Sequence, residues 1–188
     1  MPLPGGFCQF EAMRLLLLFL LLALPLHAAP VEGTDVDNRK TVLNASGRVG
    51  VVLSSSPATQ KATREAGRVL DAYRGRPDFQ LFIVVDLRGS IAGALPPIVR
   101  GEMRENLNGE AKRLAPFYAA NGNAENPRGS LEAFSDFDGK LSRSLGWAET
   151  PEKLRCVVYG KDGQEAARWD DLRDYAALQA AVKKALGL

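Results

Sequence analysis

Three consecutive serines, Ser54-Ser55-Ser56, run into Pro57 and then Thr59, and they form the densest group of chemically useful side chains in the chain. Hydroxyls placed where a strand gives way to a helix can hold a phosphate, sulfate or carboxylate. The first N–H groups of a helix lack intrahelical partners, and the helix dipole favours negative charge there. To act as nucleophiles the same hydroxyls need a base. No Ser-x-x-Lys pattern falls at this corner, and the only histidine is His27. The approach is not glycine-rich and no Lys-Ser/Thr pair follows, so this is not a nucleotide P-loop. Two further residues join the candidate set. Arg155 precedes an apolar run and can bring positive charge to the hydroxyls. Asp86 ends another apolar run, the place where α/β proteins gather site residues.

The residue counts exclude more than the motifs suggest. An apolar run at Leu15–Leu26 follows Arg14 and ends in His27-Ala28-Ala29, the layout of an export signal cleaved after Ala28. The run is shorter than the roughly 20 residues of a membrane span. Cleavage would remove residues 1–28, and with them His27 and Cys8, leaving Cys156 as the sole cysteine. Such a chain has no Ser-His-Asp triad, no Cys-His dyad, no His-ligated zinc and no internal disulfide. The balance points away from an enzyme, and nothing calls for a metal or a cofactor. Asp136 and Asp138 begin like a calcium loop, but Lys140 and Ser142 stand where later ligands should be. Cys156 lies in the apolar stretch Cys156-Val157-Val158, which marks a small buried hydrophobe; the alternative is a single exchange-active thiol. A net charge of +2, from 24 bases against 22 acids, gives no basis for binding nucleic acid or an anionic membrane.

The elements that would position these residues can be read in order. Ala29–Arg39 is polar and acidic, a flexible leader, and Lys40–Asn44 suits a short edge strand. Val49–Leu53 is unbroken and apolar, as in a strand covered on both faces. Ser56 is a good N-cap and Pro57 a good first helical residue. Ala62, Ala66, Val69, Leu70 and Tyr73 then make one apolar stripe, which Gly75 ends. Phe79–Leu87 is a second central strand, so strand, helix and strand form a parallel βαβ unit. Ile98–Ala119 is helical, with Gly101, Gly109 and Pro116 predicting a kink or early end. Leu131–Phe134 is a short strand, Asp136–Gly139 a turn and Lys140–Leu145 a short helix. Leu154–Tyr159 and Gln164–Trp169 flank Lys161-Asp162-Gly163 as a hairpin. Asp174 caps a last helix carrying Tyr175, Leu178, Val182 and Leu186.

That order, together with Val49–Ser56 running into Pro57, the turn SDFDGKLSRSLGW at Ser135–Trp147 and LRCVVYGKDGQ at Leu154–Gln164, resembles the thioredoxin-like superfamily and its redoxin and peroxiredoxin branch. The resemblance implies an α/β fold with a central mixed sheet, helices on both faces, and a C-terminal β-hairpin plus helix. It spans residues 40–188. It also exposes departures. Where thioredoxins keep Cys-x-x-Cys this chain has Ser56-Pro57-Ala58-Thr59, and Arg155 stands where they keep a cis-proline, Pro151 lying too early. The expectation is therefore an exported protein, periplasmic or extracellular, without dithiol activity. Its corner, with Ser55, Ser56, Thr59, Arg155 and Asp86 as ligand-binding candidates, would bind a peptide, a partner protein or a small anion. The alternative is a divergent redoxin using Cys156.

Overall fold

The structure is a computed structural model describing residues 29–88, 90, 94–124, 127–149 and 152–188. The segment read as an export signal, 1–28, and Pro151 lie outside the described residues.

The seven residues of β3, Val49–Ser55, are all buried, as their unbroken apolar character requires. β4, Phe79–Asp86, runs parallel to β3, with Val51 opposite Leu81 and Leu53 opposite Ile83. β5, Glu132–Asp136, lies parallel on the far side of β4. β6, Cys156–Tyr159, is antiparallel to β3, and β7, Glu165–Trp169, is antiparallel to β6. The sheet order is thus β5-β4-β3-β6-β7, mixed, with the closing hairpin on one side of β3.

The period-two alternation of the strands divides the core between the two faces. Val49, Val51, Leu53, Cys156 and Val158 pack with Ala66 and Leu70, and with Leu178, Val182 and Leu186 of the last helix. Val52, Phe82, Val84, Phe134 and Val157 pack on the opposite face with Leu43, Leu145 and Trp147. Each fully buried Val or Leu contributes about 1.5–3 kcal/mol relative to exposure, so the two layers hold the sheet from both sides. Helix α1, Gln60–Arg68, and helix α4, Tyr175–Leu186, cover the first face; the short α3, Lys140–Ser144, sits on the second. Asp174 caps α4 by accepting from the N–H groups of Ala176 and Ala177.

Three local expectations need correction. The stretch 29–39 is not a flexible leader: β1, Glu32–Thr34, pairs antiparallel with β2, Lys40–Val42, and Val36 is fully buried. The buried Asp35 carboxylate explains the order, because it accepts from the N–H groups of Asp37 and Arg39 and from the Arg39 guanidinium. Helix α1 begins three residues later than the Ser56 cap predicts, with Thr59 at the N-cap position, and 57–59 form a turn. Helix α2, Pro96–Ala120, runs through Gly101, Gly109 and Pro116 without ending. Pro116 is on an exposed face, so the carbonyl that its missing N–H leaves unpaired meets solvent.

Only Ala111, Leu114 and Tyr118 of α2 are buried, and all lie in its C-terminal half. That half is clamped to the turn after α1: Arg113 bonds the Asp71 carboxylate at 2.5 and 2.9 Å, and the Asn121 amide donates to the carbonyls of Ala72 and Arg74. The N-terminal half carries its apolar stripe half-exposed, and Ile98 is 56% exposed.

Candidate functional site

The β3–α1 corner folds the way it does because its hydroxyls bond to one another and to the neighbouring backbone. Ser54 sits at the end of β3 and is tied twice to the chain entering β6. Its Oγ accepts from the Arg155 N–H at 2.9 Å, and its own N–H donates to the Arg155 carbonyl at 2.9 Å. Ser55 ends the strand opposite Val85 and is buried. The Thr59 Oγ1 accepts from the Ser56 N–H at 2.9 Å and lies 3.2 Å from the Ser56 Oγ. The Thr59 N–H in turn donates to the Ser56 carbonyl at 3.1 Å. This reciprocal loop replaces the ordinary cap and explains the late helix start. Thr63, one turn into α1, donates from Oγ1 to the carbonyls of Ser54 and Thr59, both at 3.0 Å. Ser54, Ser56, Thr59 and Thr63 are all buried. These hydroxyls are thus engaged within the chain, and among the described residues no base is hydrogen-bonded to them.

Asp86 also has a structural partner. Its carboxylate is fully buried and grips Arg88 as a fork, with Arg88 Nε at 3.0 Å and Nη2 at 2.6 Å. The same guanidinium donates to the carbonyls of Ala148, at 2.7 Å, and Trp147, at 3.3 Å. The bonded Asp86 carboxylate pushes the Arg88 guanidinium above its ordinary range. Asp136, opposite Asp86 in the β4–β5 register, accepts from the N–H groups of Ser142 and Leu141 and so starts α3. Gly139 has φ +73°, and a Cβ there would strike the Arg88 side chain. The Asp136–Gly139 turn is therefore built around the Asp86–Arg88 pair. Arg155 sends its guanidinium to the Glu149 carbonyl at 2.8 Å. The two arginines thereby shape the 147–149 loop that borders the corner.

Of the expected residues, Ser54, Ser55, Ser56, Thr59 and Arg155 come together, whereas Asp86 belongs to the adjoining Arg88 pair. Cys156 stands apart from both. It lies between Leu53 and Trp169 in the sheet, is fully buried in the α1–α4 core, and burial pushes its thiol far above the usual range. Sequence reading missed Arg88 and Asp136 as partners. The signal was present in the acid and base at Asp86 and Arg88 and in the acid-rich turn, but nothing in the linear order joins them. Among the described residues no cluster of His, Cys, Asp and Glu could hold a metal ion.

No protein-family model matches the chain, and no curated protein matches it. Solved structures do match. A thiol:disulfide interchange protein of the thioredoxin family from Chlorobium tepidum aligns over 88% of this chain and 99% of its own, with 16% identity and a TM-score of 0.54. The chain has a thioredoxin-like fold. A DsbF homologue from Corynebacterium diphtheriae aligns over 83% of this chain and 84% of its own, at 11% identity and a TM-score of 0.56. The exposed lipoprotein thioredoxin Etrx1 of Streptococcus pneumoniae aligns over 83% of this chain and 99% of its own, at 15% identity and a TM-score of 0.51. Where the resemblance places a Cys-x-x-Cys, this chain has the Ser56 and Thr59 hydroxyls 3.2 Å apart. No peptide bond among the described residues is cis, and Arg155 occupies the strand entry where the resemblance places a proline. Among the described residues no helix is long and apolar enough to cross a membrane.

Proposed function

We propose that this is an exported thioredoxin-like binding module that has no dithiol chemistry and engages a peptide or protein segment at the Ser54–Thr59 corner. The observation that carries the reading is the Ser56–Thr59 hydroxyl pair, hydrogen-bonded where a redox-active member would keep its two sulfurs. Hydroxyls carry out no thiol–disulfide exchange, and the remaining thiol, Cys156, is sealed in the core. An anion at this corner is disfavoured because the hydroxyls of Ser54, Ser56, Thr59 and Thr63 already bond within the chain. A peptide is favoured by the exposed lip at Pro57 and Ala58. At the same end of the sheet Leu95, 51% exposed, and Ile98 open α2 with uncovered apolar surface.

The purified protein is expected to leave insulin unreduced in the presence of dithiothreitol; catalysed precipitation of insulin would refute the reading. A thiol titration addresses the Cys156 redoxin alternative, since reaction only after denaturation excludes it. Extended peptides selected on the full chain should lose binding to Ala58→Asp, and retention there would move the site elsewhere. Export is tested by expressing residues 1–188 and sequencing the mature N-terminus, which is expected to begin at Ala29.

A further inference from the structure

We propose that the opposite end of the sheet, where the parallel strands begin, holds a small oxyanion of the phosphate or sulfate class on Arg48. A cleft of about 150 Å³ opens there, lined by Arg48, Arg76, Gln80, Tyr118, Asn123 and Ser130 among others, and no acidic residue lines it. Organic ligands occupy pockets of roughly 300–1,000 Å³, so this cleft suits one small ion.

The charge is already in place. Arg48 and Arg76 both face the cleft. Arg76 is forked to Asp78 at 2.9 and 3.1 Å, and Lys161 holds the same carboxylate at 2.9 Å. That leaves three cations against one carboxylate, and the cation with no acid partner among the described residues is Arg48. Glu132, on β5 in register with Phe82, does not line the cleft and makes no ion pair with Arg48, although its own Oε2 is also buried without a hydrogen-bond partner among the described residues.

Arg48 is also oriented and incompletely bonded. Its guanidinium stacks over the Phe82 ring at 5.5 Å, and Nη2 reaches the Val42 carbonyl at 3.5 Å. Its Nε is buried with no hydrogen-bond partner among the described residues. A buried donor without a partner is costly, and an oxyanion that enters the cleft supplies the missing acceptor. A guanidinium held in one plane presents its N–H groups to such an ion as a ready fork. Gln80 stiffens the wall by donating to the Ser130 carbonyl at 2.8 Å. This site is independent of the corner, since the two lie at opposite ends of β3.

The test titrates inorganic phosphate, then sulfate, into the full chain at ionic strength fixed with sodium chloride. Binding is read by calorimetry and by amide chemical shifts. Saturable binding is expected, with shifts at Arg48, Gln80 and Ser130 and none at residues 54–60. Arg48→Gln should weaken it at least tenfold, whereas Arg173→Gln, which removes an exposed charge elsewhere, should leave it unchanged. Asn123→Asp places a like charge at the exposed rim and should also weaken it, which provides a second measure should Arg48→Gln fail to fold. Absence of saturation, shifts confined to the corner, or unchanged affinity in Arg48→Gln or Asn123→Asp would overturn the proposal.

Discussion

The two ends of the parallel strands differ in what their polar groups meet. At the carboxyl end Ser54, Thr59, Thr63, Asp86 and Asp136 are all buried and bonded within the chain. At the amino end Arg48 has a buried Nε–H with no hydrogen-bond partner among the described residues, beside a cleft. At the carboxyl end the buried Trp147 Nε1 is likewise unpartnered but lies in the core cluster with Val52, Phe82 and Leu145. One sheet positions both ends, so fold alone does not decide which end recognises a small ion. A saturated network contributes stability and offers a surface; an unsaturated donor at a cleft invites a ligand.

The contrast predicts that substitutions at the carboxyl end cost stability and those at the amino end cost ligand. The largest effect is expected from Asp86→Ala, which leaves the Arg88 guanidinium without its fork and frees the 147–149 loop. Loss of about 3 kcal/mol is expected by urea unfolding. Cys156→Ser follows, because a hydroxyl in that apolar position has no partner; about 2 kcal/mol is expected in the same measurement. Thr59→Val keeps the shape but strands the buried Ser56 N–H, with an expected cost of about 1–2 kcal/mol. If it costs nothing, the hydroxyl pair is ornamental and the corner is less rigid than its bonds suggest.

Asp78 makes the amino end sensitive to acid. Its bonds to Arg76 and Lys161 hold its carboxyl down at about 2, below the ordinary value of 3.8. A carboxyl lowered in the folded state contributes fully above the unfolded value, and that contribution fades as pH falls from about 4 towards 2. Asp78→Asn should flatten that part of the stability profile measured by thermal melting. The smallest stability effect is expected from Arg48→Gln, below about 1 kcal/mol, since its stacking on Phe82 is its main internal contact. A large loss there would make Arg48 a structural residue and erase the distinction between the two ends.

Much of the sheet scaffold was legible in the sequence. Val49–Leu53 and Leu81–Val85 show their double burial as unbroken apolar runs, and Lys161-Asp162-Gly163 shows its hairpin through one glycine with positive φ. The helix start was not legible. Ser56-Pro57 has the chemistry of a cap, but Thr59 competes for the same backbone groups, and which bonds form depends on the chain from Arg155 packing alongside. The leader was misread for a related reason. Val36 is one apolar residue in an acidic stretch, and it is buried where its N–H donates to the carbonyl of Ala133, far along the chain. Asn44 likewise is buried, and its amide ties Val31 to the hairpin at Gly163.

By itself the sequence determined the apolar alternation, the turn residues and the absence of a Cys-x-x-Cys, because each depends only on residue type and near neighbours. Only the tertiary structure decided that Asp86 is engaged by Arg88, that Cys156 is enclosed on all sides, and that Arg48 is left with an open donor. Burial and hydrogen-bond saturation are properties of what distant segments bring against a side chain, and no local pattern encodes them.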